Sequence, residues 1–166
     1  MTLGLLGFGE IAREFLPMAL AFGLDVQYHR RNRLPADEES ALGIRYCSKQ
    51  DLFANSDIVS VHVPLQAATR GLVGAPELEN IKPGAWLINT SRADIVDHDA
   101  LLAALRSGRL GAAAADVHYQ EPVAEDEPLL AFENFLMTPH FAGGPRQMLL
   151  GDMEEIAFNI QQALAG

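Results

Sequence analysis

Gly7-Phe8-Gly9-Glu10-Ile11-Ala12 stands between a short apolar run, Leu3–Leu6, and a segment of helical periodicity running from about Ile11 to Phe22. A strand, a glycine turn and a helix in that order, with G-x-G-x-x-G/A spacing, form the dinucleotide-binding fingerprint. Each position has a physical reason. Gly7 permits the tight turn. Gly9 leaves room for a pyrophosphate to approach the backbone, and Ala12 lets helix and strand pack closely. The helix N-terminus then offers unpaired N–H groups to the phosphates. The competing reading is a glycine turn in an α/β domain that binds nothing.

The residues after the second strand, Val26–His29, refine this reading. An acidic side chain about 20 positions beyond the glycines would hold the ribose hydroxyls of NAD. The chain instead reads Tyr28-His29-Arg30-Arg31, with Arg30 on that slot. A carboxylate repels a 2′-phosphate, whereas guanidinium groups pair with it bidentately. NADP is therefore the expected cofactor and NAD the second choice. A solvated basic loop formed by Arg30, Arg31 and Arg33 is the alternative.

The remaining chain repeats the alternation of short apolar runs and helical patterns. Ser48 is a candidate N-cap for a short helix. Ile58–Val63, Trp86–Asn89, Gly111–Val117 and Phe135–Met137 read as strands, and His98–Ser107 and Gln147–Leu164 as helices. Gln120–Leu130, acidic and proline-rich, reads as a loop. Pro17 should kink the first helix. Strands apolar on both sides and separated by helices predict a doubly wound parallel sheet, a Rossmann-type α/β domain covering residues 1–166. A net charge of −10 argues against nucleic acid and anionic membrane as partners. No apolar run approaches the ~18 residues of a membrane helix. Leu3–Leu6 is too short for a signal peptide. The single cysteine, Cys47, excludes an internal disulfide, fits a cytoplasmic setting, and is expected to pack rather than react.

Four further segments place polar residues just past predicted strands, where open α/β sheets bind ligands. They are Ser60-Val61-His62-Val63-Pro64-Leu65, Ile88-Asn89-Thr90-Ser91-Arg92, Asp116-Val117-His118-Tyr119-Gln120-Glu121-Pro122 and Thr138-Pro139-His140-Phe141-Ala142-Gly143. Together with the glycine loop, and in this order, they resemble the D-2-hydroxyacid dehydrogenases, the family of glyoxylate/hydroxypyruvate reductases and phosphoglycerate dehydrogenases. Arg92, Glu121 and His140 follow one another at 29 and 19 positions, as in that family.

The resemblance implies roles. Arg92 would bind the carboxylate and carbonyl oxygen of a small 2-keto or 2-hydroxy acid. His140 would be the general acid, with Glu121 favouring its protonated form. Asp116 would orient the nicotinamide amide, with Thr90 and Ser91 beside the ring. Val63 would lie along the adenosine, and Glu10 and Ile11 would cap the pyrophosphate. A cation and a proton donor beside the substrate oxygen also suit the charge that develops there on reduction. His29, His62, His98 and His118 carry no comparable case. His118 and Glu121 lack metal-ligand spacing to any other cluster, so no metal is expected.

The family carries a substrate domain ahead of the glycine loop, and no such segment precedes Leu3 here. The expectation is a cofactor domain whose Arg92, Glu121 and His140 line one wall of an open cleft. A homodimer or a missing substrate domain would complete it. Met148, Leu149, Met153, Ile156 and Ile160 form an apolar stripe that either packs on the domain's own sheet or needs a partner. Ala93, where the family often has Gly, and Pro145 are minor departures. Two readings of function compete: an NADP-preferring reductase domain, and a dinucleotide-binding module or truncated fragment without turnover of its own.

Overall fold

A computed structural model describes residues 1–143, together with Met153, Phe158, Ile160 and Gln161. Seven parallel strands form one sheet: β1 (Thr2–Leu6), β2 (Asp25–His29), β3 (Arg45–Tyr46), β4 (Ile58–Val61), β5 (Ala85–Asn89), β6 (Leu110–Ala115) and β7 (Phe135–Met137). Their spatial order is β3-β2-β1-β4-β5-β6-β7. Beside β1 the order reverses direction. Right-handed crossovers on the two sides of this point put helices on opposite faces and open a crevice at the strands' carboxyl ends. The predicted doubly wound Rossmann-type sheet is the observed one.

Five helices connect the strands: α1 (Glu10–Ala21), α2 (Ala36–Leu42), α3 (Lys49–Asn55), α4 (Ala75–Asn80) and α5 (His98–Arg106). Two buried cores follow from the strands' alternation. Leu6, Val59, Val61 and Leu87 pack with Leu52, Phe53, Leu78 and Leu101 of α3, α4 and α5 on one face. Leu3, Leu5, Val26 and Tyr28 pack with Ala12, Leu16 and Ala19 of α1 on the other. On that second face β5 and β7 present Trp86 and Leu136, 51% and 66% exposed.

Several expectations change in detail. β4 ends at Val61, not Val63, although the His62 amide still donates to the Leu6 carbonyl at 2.7 Å. β6 spans Leu110–Ala115 rather than Gly111–Val117. Helices α2 and α4 and the two-residue β3 had no counterpart in the sequence reading. The loop over 120–130 contains a 3₁₀ turn, Pro128–Ala131. Helix α1 runs on through Pro17. It sits on the helix's exposed side, where water can take the carbonyl that its missing N–H leaves unpaired. Ser48 caps α3, its hydroxyl accepting from the Asp51 amide at 3.0 Å. Cys47 is half-buried, and burial pushes its thiol up to about 11, which makes it unreactive at neutral pH.

Of the helix expected over Gln147–Leu164, Met153, Phe158, Ile160 and Gln161 are helical, and the rest lies outside the described residues. Met153 and Ile160 of the apolar stripe are exposed, while Met148, Leu149 and Ile156 also lie outside them. No described helix is long and apolar enough to cross a membrane.

Candidate functional site

The two glycines of the loop do different work. Gly7 has φ +97°, and a Cβ there would lie 2.5 Å from the His62 carbonyl oxygen. Its amide donates to the His29 carbonyl at 2.8 Å, so three strand ends meet at one point. Gly9 is the N-cap of α1 at φ −103°, and a Cβ there would meet nothing within 4 Å. The fold does not require glycine at position 9. The open space in front of it is what a pyrophosphate would fill, and on that observation the loop fits a dinucleotide.

That space is part of a cleft of about 480 Å³ lined by Gly9, Glu10, Ile11, Val63, Thr90, Ser91 and Arg92, with His62 and Leu65. Most of the cofactor-binding residues expected from the sequence are thus brought together. Their hydrogen bonds assign some of them structural work. The Ser91 hydroxyl donates to the Val61 carbonyl at 2.8 Å. Asn89, buried beneath, accepts from the Ser91 amide at 3.0 Å and donates to the Arg92 carbonyl at 2.9 Å. Asn89 therefore shapes the turn that carries Arg92. The Arg92 side chain is exposed, its Nη1 donating to the Ser91 carbonyl at 2.6 Å. His62, which stood out for nothing in the sequence, shares a hydrogen bond with the Ser60 hydroxyl at 2.9 Å, and burial holds it below the ordinary histidine value. Its place next to Val63 and Pro64 was the available signal.

Arg30 is half-buried and reaches back to the glycine loop, its Nη1 donating to the Phe8 carbonyl at 3.3 Å. Arg31 is exposed. Arg33, grouped with them by sequence, is occupied elsewhere: it grips Glu39 through Nε and Nη2 at 2.8 and 2.7 Å.

His140 and Glu121 line a separate pocket of about 560 Å³ with His118, Met137 and Thr138, and it shares no lining residue with the first. The Nδ1 of His140 lies 3.0 and 2.9 Å from the two Glu121 oxygens. That imidazole, and the His118 amide at 3.0 Å, hold the Glu121 carboxyl below its usual range. With Nδ1 committed, Nε2 is the nitrogen left to face a substrate. His140 has φ +58°, a left-handed conformation uncommon outside glycine.

Asp116 lines neither cavity. It is 4% exposed and accepts from the Thr138 hydroxyl at 2.6 Å and from the Phe141 and Ala142 amides at 2.9 and 2.7 Å. Burial alone would push its carboxyl up, but these three donors outweigh burial and hold it low. Both oxygens brace the turn that carries His140. Among the described residues, no group of three or more His, Cys, Asp or Glu is arranged to hold a metal ion.

Comparison with known proteins gives the family. The family model described as D-isomer specific 2-hydroxyacid dehydrogenase, NAD binding domain, matches residues 1–142. A glyoxylate reductase of Aeropyrum pernix is 44% identical over 149 residues, covering 90% of this chain and 44% of that protein. Glyoxylate/hydroxypyruvate reductase B of Salmonella newport is 37% identical over 166 residues, 99% of this chain and 51% of the other. The crystal structure of a glyoxylate reductase from Paecilomyes thermophila superposes with a TM-score of 0.86 at 36% identity, over 98% of this chain and 48% of that one. The chain thus spans about half the length of the relatives it matches. On the family match and these identities, the chain belongs to the D-isomer specific 2-hydroxyacid dehydrogenases, and residues 1–142 correspond to their NAD-binding domain.

Proposed function

We propose that this domain binds NADP in preference to NAD and serves the reduction of a small 2-keto acid, with a second body completing the substrate pocket. The observation that carries the cofactor choice is Arg30, held half-buried against the glycine loop on the slot where NAD binders place a carboxylate. Replacing Arg30 and Arg31 by Ala is expected to weaken NADPH about 30-fold or more while changing NADH little, since only one of the two carries the phosphate that a guanidinium pairs with. Calorimetric titration with both cofactors checks this. Equal losses for the two would mean that the arginines do not read the 2′-phosphate.

The bound nicotinamide would supply the hydride, and the chain's own residues would manage charge and proton. Arg92, at the mouth of the cofactor cleft, is the cation for the substrate carboxylate and the developing oxyanion. His140 donates the proton from Nε2 while Glu121 steadies Nδ1. Glyoxylate and hydroxypyruvate, the substrates in the names of the similar reductases above, are the first to test. Glu121→Gln keeps the shape and removes the charge. Removing the charge that faces Nδ1 should lower kcat/KM about 10- to 100-fold, because the imidazole is no longer steadied for proton donation. A kcat/KM equal to that of the wild type would remove Glu121 from the mechanism.

A binding module without turnover is the second reading. It is favoured by the separation of Arg92 and His140 into two open cavities. NADPH binding without turnover in a purified sample would support it. Turnover would mean that another copy or another domain closes the site.

A further inference from the structure

The turn that carries Arg30 and Arg31 is closed by one phenol. Tyr28, wholly buried in β2, accepts from the Leu34 amide at 3.0 Å and donates to Glu39 at 2.7 Å. Glu39, on α2 and 7% exposed, is held in turn by the Arg33 fork, and the Arg33 guanidinium lies 5.3 Å above the Tyr46 ring. Residues 28 and 34 are thereby pinned together, with Arg30, Arg31 and Asn32 between them. The same phenol ring packs on Phe8 of the glycine loop at 5.1 Å, and the Phe8 carbonyl is what Arg30 reaches.

The charges matter as much as the geometry. Glu39 sits at the base of the turn that would receive a phosphate. Left alone, its carboxylate would oppose a second anion at that position. Arg33 neutralises it in the bidentate geometry that guanidinium and carboxylate favour. Arg33 therefore supports the phosphate-binding turn from behind instead of belonging to the phosphate contacts themselves.

We propose that Tyr28, Glu39 and Arg33 form a positioning clamp that sets the preference for a 2′-phosphorylated adenosine, by fixing the turn that presents Arg30 and by cancelling the buried charge beneath it. The clamp rests on the NADP reading above and adds to it the residues that make the arginine turn selective. Its members act through Arg30 and touch no cofactor.

The test is calorimetric binding of NADPH and NADH to the full chain and to Tyr28→Phe, Glu39→Gln and Arg33→Lys, with thermal unfolding to confirm that each variant is folded. Tyr28→Phe removes only the hydroxyl, and Arg33→Lys keeps the charge but cannot fork across both oxygens. Tyr28→Phe and Arg33→Lys are each expected to weaken NADPH about tenfold, Glu39→Gln less because it also removes the opposing charge, and all three should change NADH by no more than about twofold. Because the members work as one unit, the Tyr28→Phe/Arg33→Lys pair should lose no more than about twofold beyond either single variant. Arg33 lies on the surface, so Arg33→Lys decides the matter if the buried variants unfold. The clamp is overturned if the folded variants keep the wild-type preference while Arg30→Ala abolishes it, a result that leaves the NADP reading standing. It is also overturned if both cofactors weaken equally, since the cluster would then serve only the fold. A wild-type chain that does not prefer NADPH removes the NADP reading and the clamp together.

Discussion

Gly7→Ala is expected to cost about 3–4 kcal/mol of folding stability, against about 1 kcal/mol or less for Gly9→Ala, the adjacent change in the same motif. At position 7 an Ala meets two obstacles. The backbone is at φ +97°, and the new Cβ would stand 2.5 Å from the His62 carbonyl oxygen, which belongs to a sheet-bonded segment and cannot step aside. At position 9 the backbone has an ordinary negative φ and the Cβ enters open space. The lost stability there is only the difference between Gly and Ala as helix caps. The folded Gly9→Ala protein should nevertheless bind NADPH some 30-fold more weakly, about 2 kcal/mol, because its methyl occupies the pyrophosphate's path. Urea unfolding reads the first effect and calorimetry the second. Unchanged NADPH affinity in Gly9→Ala would mean that the phosphates lie elsewhere.

The second large effect falls on Asp116. Asp116→Ala removes the buried acceptor of the Thr138 hydroxyl and of the Phe141 and Ala142 amides, and although these three residues are exposed and can turn to water, the lost bonds should cost about 1–3 kcal/mol. Asp116→Asn should cost less, since its remaining carbonyl oxygen can still serve Thr138 and Phe141 while its amide faces the Ala142 donor. The loss is local as well as global. His140 is held at φ +58° by the turn that these bonds close, so freeing the turn should release the His140–Glu121 contact and change the His140 ring resonances in NMR.

The acid behaviour of the wild type follows with a definite sign. The Asp116 carboxyl is held below its unfolded value. Its contribution is therefore fully present above the unfolded value and is lost as pH falls through the folded one. Glu39, at about 2, behaves in the same way. Asp116→Ala should flatten the acid side of the stability curve. If its stability and its histidine resonances match the wild type, something other than Asp116 holds the turn.

What could be read from the sequence was whatever chemistry ties to a strand end. The glycine loop, the slot of Arg30 and the segments ending in Arg92, Glu121 and His140 are local signals, and a parallel sheet gathers them on one edge. The unread elements had no such signal. β3 is two residues long, and α2 opens on Asp37, Glu38 and Glu39 with too few apolar positions to show a period. Arg33 could not be told from Arg30 and Arg31, because its partner lies six residues on, in the helix that went unrecognised. Asp116, which the resemblance assigns to the nicotinamide amide, also has structural work that the sequence does not show. Its bonds run to residues 22–26 positions away, a pairing set by the lateral neighbours β6 and β7 that no local pattern reveals.

The strand order also grades the sheet's resistance to local opening. β1 lies between β2 and β4, with a full ladder to each, whereas the edges are a two-residue strand on one side and a three-residue strand on the other. Backbone amides near short, exposed edges exchange with solvent through small, frequent fluctuations, while those in the middle wait for larger ones. The glycine loop springs from the slow centre. The Arg30 turn follows β2, one ladder from the β3 edge, and the His140 turn follows β7, the other edge itself. On the proposed function, the middle of a bound dinucleotide would be seated on stiff backbone, and the Arg30 and His140 turns at its two ends on backbone that opens more readily.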